Sequence, residues 1–198
     1  MNRCLYLIVD FSYGEDKIRA ALSAGVDYIQ LREKSITSAE YLLRAKQLRT
    51  LTRQYNTKLI IDDRLDIALL SEADGVHVGQ TDLPVRDIRA YVGERFIIGA
   101  TAKTVSQAIE AEQEGANYLG TGAFFPTQTK ADALPIDEKT YRDILSATTI
   151  PNIAIGGITA ENCEYPLSLG ASGVAVSAGI MGQQDVESSI RKFRQKLS

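Results

Sequence analysis

The sequence has one histidine, two cysteines and no apolar run near the roughly 20 residues of a membrane span. A membrane-spanning protein is therefore not expected. The first ten residues, Met1 to Asp10, read as a strand and lack the charged start and cleavage site of a signal peptide. Neither sign of charge predominates. With a formal net charge of −3, the chain has no general attraction for nucleic acid, so any anion site must be a local cluster. Cys4 and Cys163 show no metal or redox spacing. Two unpaired thiols fit a reducing cytoplasm, which is the expected compartment, and a disulfide between them has little support. No linker and no low-complexity segment divides the chain, so 1–198 reads as a single domain.

What the chain does have is a repeating beat. Eight short runs rich in Ile, Val, Leu or Tyr recur along it: Cys4–Val9, Tyr28–Leu31, Lys58–Ile61, Gly75–Val78, Phe96–Ile98, Asn117–Leu119, Asn152–Ile155 and Gly173–Val176. Such runs suit parallel strands buried on both faces. Helical patterns lie between them, among others Ser38 to Tyr55 with Ser38 as N-cap, Thr104 to Glu114, Glu161 to Leu169 and Gly182 to Lys196. Three helices end in the same way, at Gly25, Gly115 and Gly170, each just before the next strand. Eight βα units in one domain predict a closed α/β barrel, a (β/α)8 or TIM barrel. The alternative, an open doubly wound sheet, wants a glycine-rich phosphate turn in the first unit, and none is present.

In such a barrel the chemistry sits just after the strands, on one face. Arg32 and Lys34 follow strand two and alternate, so they share one side, and Lys130 joins them from strand six. Three cations around one mouth suit a pyrophosphate, although any one lysine alone reads as solvated surface. Asp63 and Asp82 follow adjacent strands and are a candidate Mg²⁺ pair. Asp82 stands ahead of Pro84 and reads equally as a helix N-cap. Gly156-Gly157 and Ser177-Ala178-Gly179 follow strands seven and eight, where barrels often bind phosphate through backbone N–H groups. Thr127, Gln128 and Thr129 either close that second site or simply form turns. His77, inside strand four, reads as a packed structural residue. Glu33 is either a base or a brace for Arg32 or Lys34. No obvious nucleophile is present.

Together these segments resemble the thiamine-phosphate synthase family over nearly the whole chain. The specific stretches are Gln30-Leu31-Arg32-Glu33-Lys34, Asp63-Arg64-Leu65-Asp66, Gly75-Val76-His77-Val78-Gly79-Gln80 with Asp82-Leu83-Pro84, Phe125-Pro126-Thr127-Gln128-Thr129-Lys130, and Ala154-Ile155-Gly156-Gly157-Ile158-Thr159. The resemblance implies a transferase of thiamine biosynthesis. It joins a hydroxymethylpyrimidine pyrophosphate to a thiazole phosphate, giving thiamine phosphate and pyrophosphate by a dissociative route. By the same resemblance, Gln30, Leu31, Arg32, Glu33, Lys34 and Lys130 bind the pyrimidine pyrophosphate, and Thr101 touches the pyrimidine. Asp63 and Asp82 would hold Mg²⁺ as cofactor. Thr127, Gln128, Thr129, Gly157, Ser177 and Ala178 would hold the thiazole phosphate.

The resemblance also marks two departures. Asp62 stands where the family usually has asparagine, and is expected to serve Mg²⁺ as an additional or outer ligand. The hydroxyl of Ser177 is displaced by one position. A related tautomerase carries a catalytic histidine two residues past the position of Thr101, where this chain has Lys103. A non-catalytic binder of thiamine precursors is the other competing reading. The expected partners are small-molecule substrates, not nucleic acid or membrane. A homo-oligomer is compatible with the sequence.

Overall fold

The computed structural model describes residues 3–127 and 135–198. The chain alternates β1 (Cys4–Val9), α1 (Glu15–Ala24), β2 (Tyr28–Leu31), α2 (Ser38–Thr52), β3 (Lys58–Asp62), α3 (Leu65–Leu70), β4 (Gly75–Val78), α4 (Val85–Val92) and β5 (Ile97–Thr101). It continues through α5 (Val105–Gln113), β6 (Tyr118–Thr121), α6 (Glu138–Ala147), β7 (Asn152–Ile155), α7 (Glu164–Leu169), β8 (Gly173–Val176), a short α8 (Ala178–Met181) and α9 (Val186–Leu197). All eight strands are parallel and pair in sequence order. β1 also pairs with β8, through Leu5 with Val174 and Tyr6 with Ala175, so the sheet closes and the open-sheet alternative is excluded.

Strand alternation divides the apolar residues into two layers. Leu5, Leu7, Ile29, Leu31, Leu59, Ile61, Val76, Ile98 and Val174 point outward and pack in one continuous core with the helices. Tyr6, Ile8, Ile60, Tyr118, Ile153 and Ala175 point inward and form a smaller cluster inside the barrel. The glycines at the helix ends act as the sequence suggests: Gly25, Gly115 and Gly170 have φ of 89°, 96° and 116°, a region open to glycine at little cost.

Several boundaries differ from the sequence reading. The N-cap of α2 is Thr37, whose hydroxyl accepts from the Glu40 N–H, and the helix stops at Thr52 rather than Tyr55. α9 starts only at Val186 under an Asp185 cap, and α7 only at Glu164. β5 and β6 run on to Thr101 and Thr121, through Gly99 and Gly120. Glycine interrupts a hydrophobic pattern, but here it makes room. A Cβ on Gly99 would lie 2.1 Å from the Tyr118 ring and 2.5 Å from His77 Nδ1.

Candidate active site

The segment after β2 continues the alternation of the strand, and this sorts its side chains. Arg32 and Lys34 turn to the mouth and meet the buried Asp62 at the end of β3, with Arg32 Nε at 3.4 Å and Lys34 Nζ at 2.9 Å. Lys34 also pairs with Asp63. Burial works against the Lys34 ammonium, yet hydrogen bonds to Asp63 and Asp62 hold its pKa above the usual value. Leu31 and Glu33 turn the other way. Leu31 is fully buried among the helices. The Glu33 carboxylate accepts from the Phe11 N–H (3.0 Å) and from Arg44 (2.8 Å). Glu33, which the sequence left open as a base or a brace for Arg32 or Lys34, braces Arg44 and the chain after β1.

Asp63 turns the chain out of β3 with φ of +60°, an uncommon conformation that aspartate tolerates better than most residues. Its N–H donates to the His77 carbonyl at 2.8 Å. The Asp82 carboxylate accepts from the Gly79 N–H at 2.8 Å, and Pro84, not Asp82, occupies the N-cap position of α4. The capping reading of Asp82 is thus replaced by a turn that aims it at Asp63. Burial raises the Asp82 pKa against the pull of the Gly79 N–H, and the charge and hydrogen bond of Asp63 add to the rise. Two carboxylates in contact repel, and a divalent cation between them would relieve this. Among the described residues no group of three or more His, Cys, Asp or Glu could enclose a metal. The donor set is a pair of hard oxygens, which fits Mg²⁺ completed by water and phosphate. Asp62 is drawn to the cations beside it. Burial and Asp63 raise its pKa against Lys34 and Arg32, and its ion pairs commit it to those two cations. An open groove of about 670 Å³, lined by Asp63, Arg64, Asp82, Leu83 and Tyr91 among others, flanks this pair.

Thr101 ends β5 at the mouth, where its hydroxyl lies 3.0 Å from His77 Nε2. Gln30 is buried inside the barrel and donates to Tyr6 Oη at 3.1 Å. Opposite the cations, the chain after β6 docks on the turn after β7, with Phe124 and Phe125 N–H donating to the Ile155 and Gly156 carbonyls at 3.0 Å. Gly157 has φ of +63°, and a Cβ there would meet the Pro126 carbonyl at 2.5 Å. Thr127 follows directly. Ser177 precedes α8 and its carbonyl accepts from Ile180 and Met181, both at 2.9 Å. The N–H groups of Ala178 and Gly179 begin that helix, where no intrahelical acceptor exists. Gln128, Thr129 and Lys130 lie outside the described residues.

The inward ring of β4 is what the sequence reading undervalued. His77, Tyr118, Tyr6 and Gln30 form one polar string across the barrel. The signal was available: polar residues at inward positions, beside glycines on β5 and β6. Burial lowers the His77 pKa to about 4, against the opposing charges of Asp63 and Asp82, so the ring is neutral at physiological pH.

The sequence profile of thiamine monophosphate synthase matches residues 5–180. Thiamine-phosphate synthase 2 of Streptococcus pneumoniae is 45% identical over 181 residues, covering 91% of this chain and 86% of the relative. The thiamine-phosphate synthase of Ruminiclostridium cellulolyticum is 42% identical over 194 residues, covering 96% and 92%. Among solved structures, a thiamine phosphate pyrophosphorylase from Pyrococcus furiosus superposes with a TM-score of 0.90 at 37% identity, over 99% of this chain and 96% of that one. A 3-hexulose-6-phosphate synthase, at 15% identity and a TM-score of 0.75, shares the fold alone. The chain therefore belongs to the thiamine monophosphate synthase family and is a transferase with thiamine-phosphate synthase activity.

Proposed function

We propose that the two sides of this mouth divide the substrates, the pyrimidine pyrophosphate on the cationic side and the thiazole phosphate on the glycine side. The observation that carries this reading is the convergence of Arg32 and Lys34 on the rim that also holds Asp63 and Asp82. Arg32, Lys34 and Lys130 take the charge that develops on the departing pyrophosphate. Mg²⁺ held by Asp63 and Asp82 would supply further neutralisation of that leaving group. The bond between the pyrimidine methylene and the pyrophosphate oxygen breaks with its electron pair on oxygen. The thiazole nitrogen then forms the new C–N bond with its own lone pair, so no protein nucleophile is needed. Thr101 faces the pyrimidine, with Gln30 behind it. Thr127, Gln128, Thr129, Gly157 and the N–H groups beside Ser177 and Ala178 seat the thiazole phosphate and align its nitrogen.

Single-turnover kinetics on Lys34→Ala test the assignment. The chemical step is expected to slow by roughly a hundredfold or more while the KM for thiazole phosphate stays within about twofold. An unchanged chemical step with a raised thiazole-phosphate KM would move Lys34 to the other side.

A further inference from the structure

Five side chains cross the barrel as one hydrogen-bonded string. Gln30 Nε2 lies 3.1 Å from Tyr6 Oη, Tyr6 Oη 2.8 Å from Tyr118 Oη, Tyr118 Oη 3.1 Å from His77 Nδ1, and His77 Nε2 3.0 Å from Thr101 Oγ1. Each link holds one proton, so their number fixes a direction. The Gln30 amide is oriented with its nitrogen toward Tyr6, and in that orientation it only donates, which makes Tyr6 the acceptor in the first link. Tyr6 then has one proton of its own and, among the described residues, one remaining partner, Tyr118. Donation onward makes Tyr118 the donor to His77 Nδ1. The imidazole proton therefore sits on Nε2 and is given to Thr101. The reverse order strands the Tyr6 proton in the interior without an acceptor, an uncompensated buried donor. In the forward order the unused proton belongs to Thr101, half-exposed at the mouth, where a ligand can accept it.

The interior also holds the His77 ring in place. A Cβ on Gly99 would lie 2.5 Å from His77 Nδ1, and one on Gly120 would lie 2.9 Å from Cε1. The ring fills a slot left by two glycines, stacked at a tilt beside Tyr118 with centroids 5.6 Å apart.

We infer that His77, as its Nε2–H tautomer, is a positioning residue that fixes Thr101 as a hydrogen-bond donor to a ring nitrogen of the incoming pyrimidine, with Tyr6 and Tyr118 setting the direction. The inference rests on the reading of Thr101 as facing the pyrimidine. It makes ring recognition a property of the barrel interior. A heterocycle that presents a bare ring nitrogen to Thr101 is matched, and one that presents an N–H is opposed.

The chain has a single histidine, so two-bond ¹H–¹⁵N correlation spectra of the wild-type protein report this ring alone. The expected result is a neutral Nε2–H tautomer, with the Nδ1 resonance moving in Tyr118→Phe as that nitrogen loses its hydrogen-bond donor. A wild-type Nδ1–H tautomer would overturn the inference. Kinetics provide the second arm. Tyr118→Phe removes one interior hydroxyl and is expected to lower kcat/KM for the pyrimidine pyrophosphate roughly tenfold. The KM for thiazole phosphate should not change, and the loss should vanish in a Thr101→Val background. Losses that add in the double variant would show that Tyr118 does not act through Thr101. The tautomer is read on the wild-type protein whether or not it turns over, so a failure of the synthase site reading and a failure of this inference are separately visible.

Discussion

At Asp62 the charge of one residue decides how two cations at the mouth are paired. A buried carboxylate needs partners, and Asp62 finds them in Arg32 and Lys34. Those two cations are consequently part-neutralised. Asparagine has the same shape without the charge. Asp62→Asn is expected to bind inorganic pyrophosphate several-fold more tightly than the wild type, in line with the loss of one competing charge at an incompletely screened site. Isothermal titration calorimetry at fixed Mg²⁺ and salt measures this directly. Weaker binding would mean that Asp62 aids the site through the metal after all.

At the scale of elements, the end of the barrel opposite the mouth shows a fourfold repeat. The residue just before each even-numbered strand reaches back to the preceding odd strand. Asp27, Asp74, Asn117 and Ser172 donate their N–H to the carbonyls of Leu5, Leu59, Ile98 and Asn152. Their side chains accept the N–H of those same residues, at 2.7, 2.9, 2.8 and 3.3 Å. Arg194, Arg49 and Arg89 brace the first three. Each pair of βα units is thus tied by a side chain at the face of the barrel associated with stability rather than catalysis. Burial pushes the Asp74 carboxyl up, but the Leu59 N–H, Lys58 and Arg49 outweigh it and hold the pKa below the usual value. The stabilisation from this charge is present above about pH 4 and is lost as pH falls through the lowered folded value. Asp74→Asn keeps an acceptor for Leu59 but loses the ion pairs. Denaturant unfolding should show a loss of about 1–2 kcal/mol at pH 7 that shrinks below pH 4, with turnover per folded molecule unchanged. A loss that stays constant with pH would assign the effect to packing.

For the whole molecule, closure of the barrel removes every sheet edge and wraps one core around another. Both cysteines are free and lie within that shell. Burial, with a contribution from the Asp27 charge against that of Arg194, pushes the Cys4 thiol up to about 12, and burial also raises Cys163. Thiolate is the reactive form. At pH 8 iodoacetamide should therefore label neither cysteine in the folded protein and both in urea, with Cys4 slowed by a factor of roughly 10³. Labelling of Cys4 in the native protein within tenfold of the unfolded rate would show that the N-terminal strand opens locally.

The strand count, the closed barrel and the shared side of Arg32 and Lys34 were legible in the chain alone. These follow from local patterns: buried runs, glycines after helices, and the alternation that sets Arg32 and Lys34 on one side. Local pattern also explains the misplaced boundaries, since Gly99 and Gly120 look like breaks until the rings of His77 and Tyr118 occupy the space beside them. The partners of these side chains came from the closed barrel. Glu33 went to Arg44 because alternation turns it outward toward α2. Asp82, which the sequence left between a helix cap and a partner of Asp63, met Asp63 through the Gly79 turn. His77 stopped being a packed residue of no further consequence once Tyr6, Gln30 and Tyr118, from three other strands, reached one axis. Periodicity reports which face of a strand a residue occupies. Which residues then meet across the barrel depends on the stagger of eight strands, a property of the closed sheet that no single segment encodes.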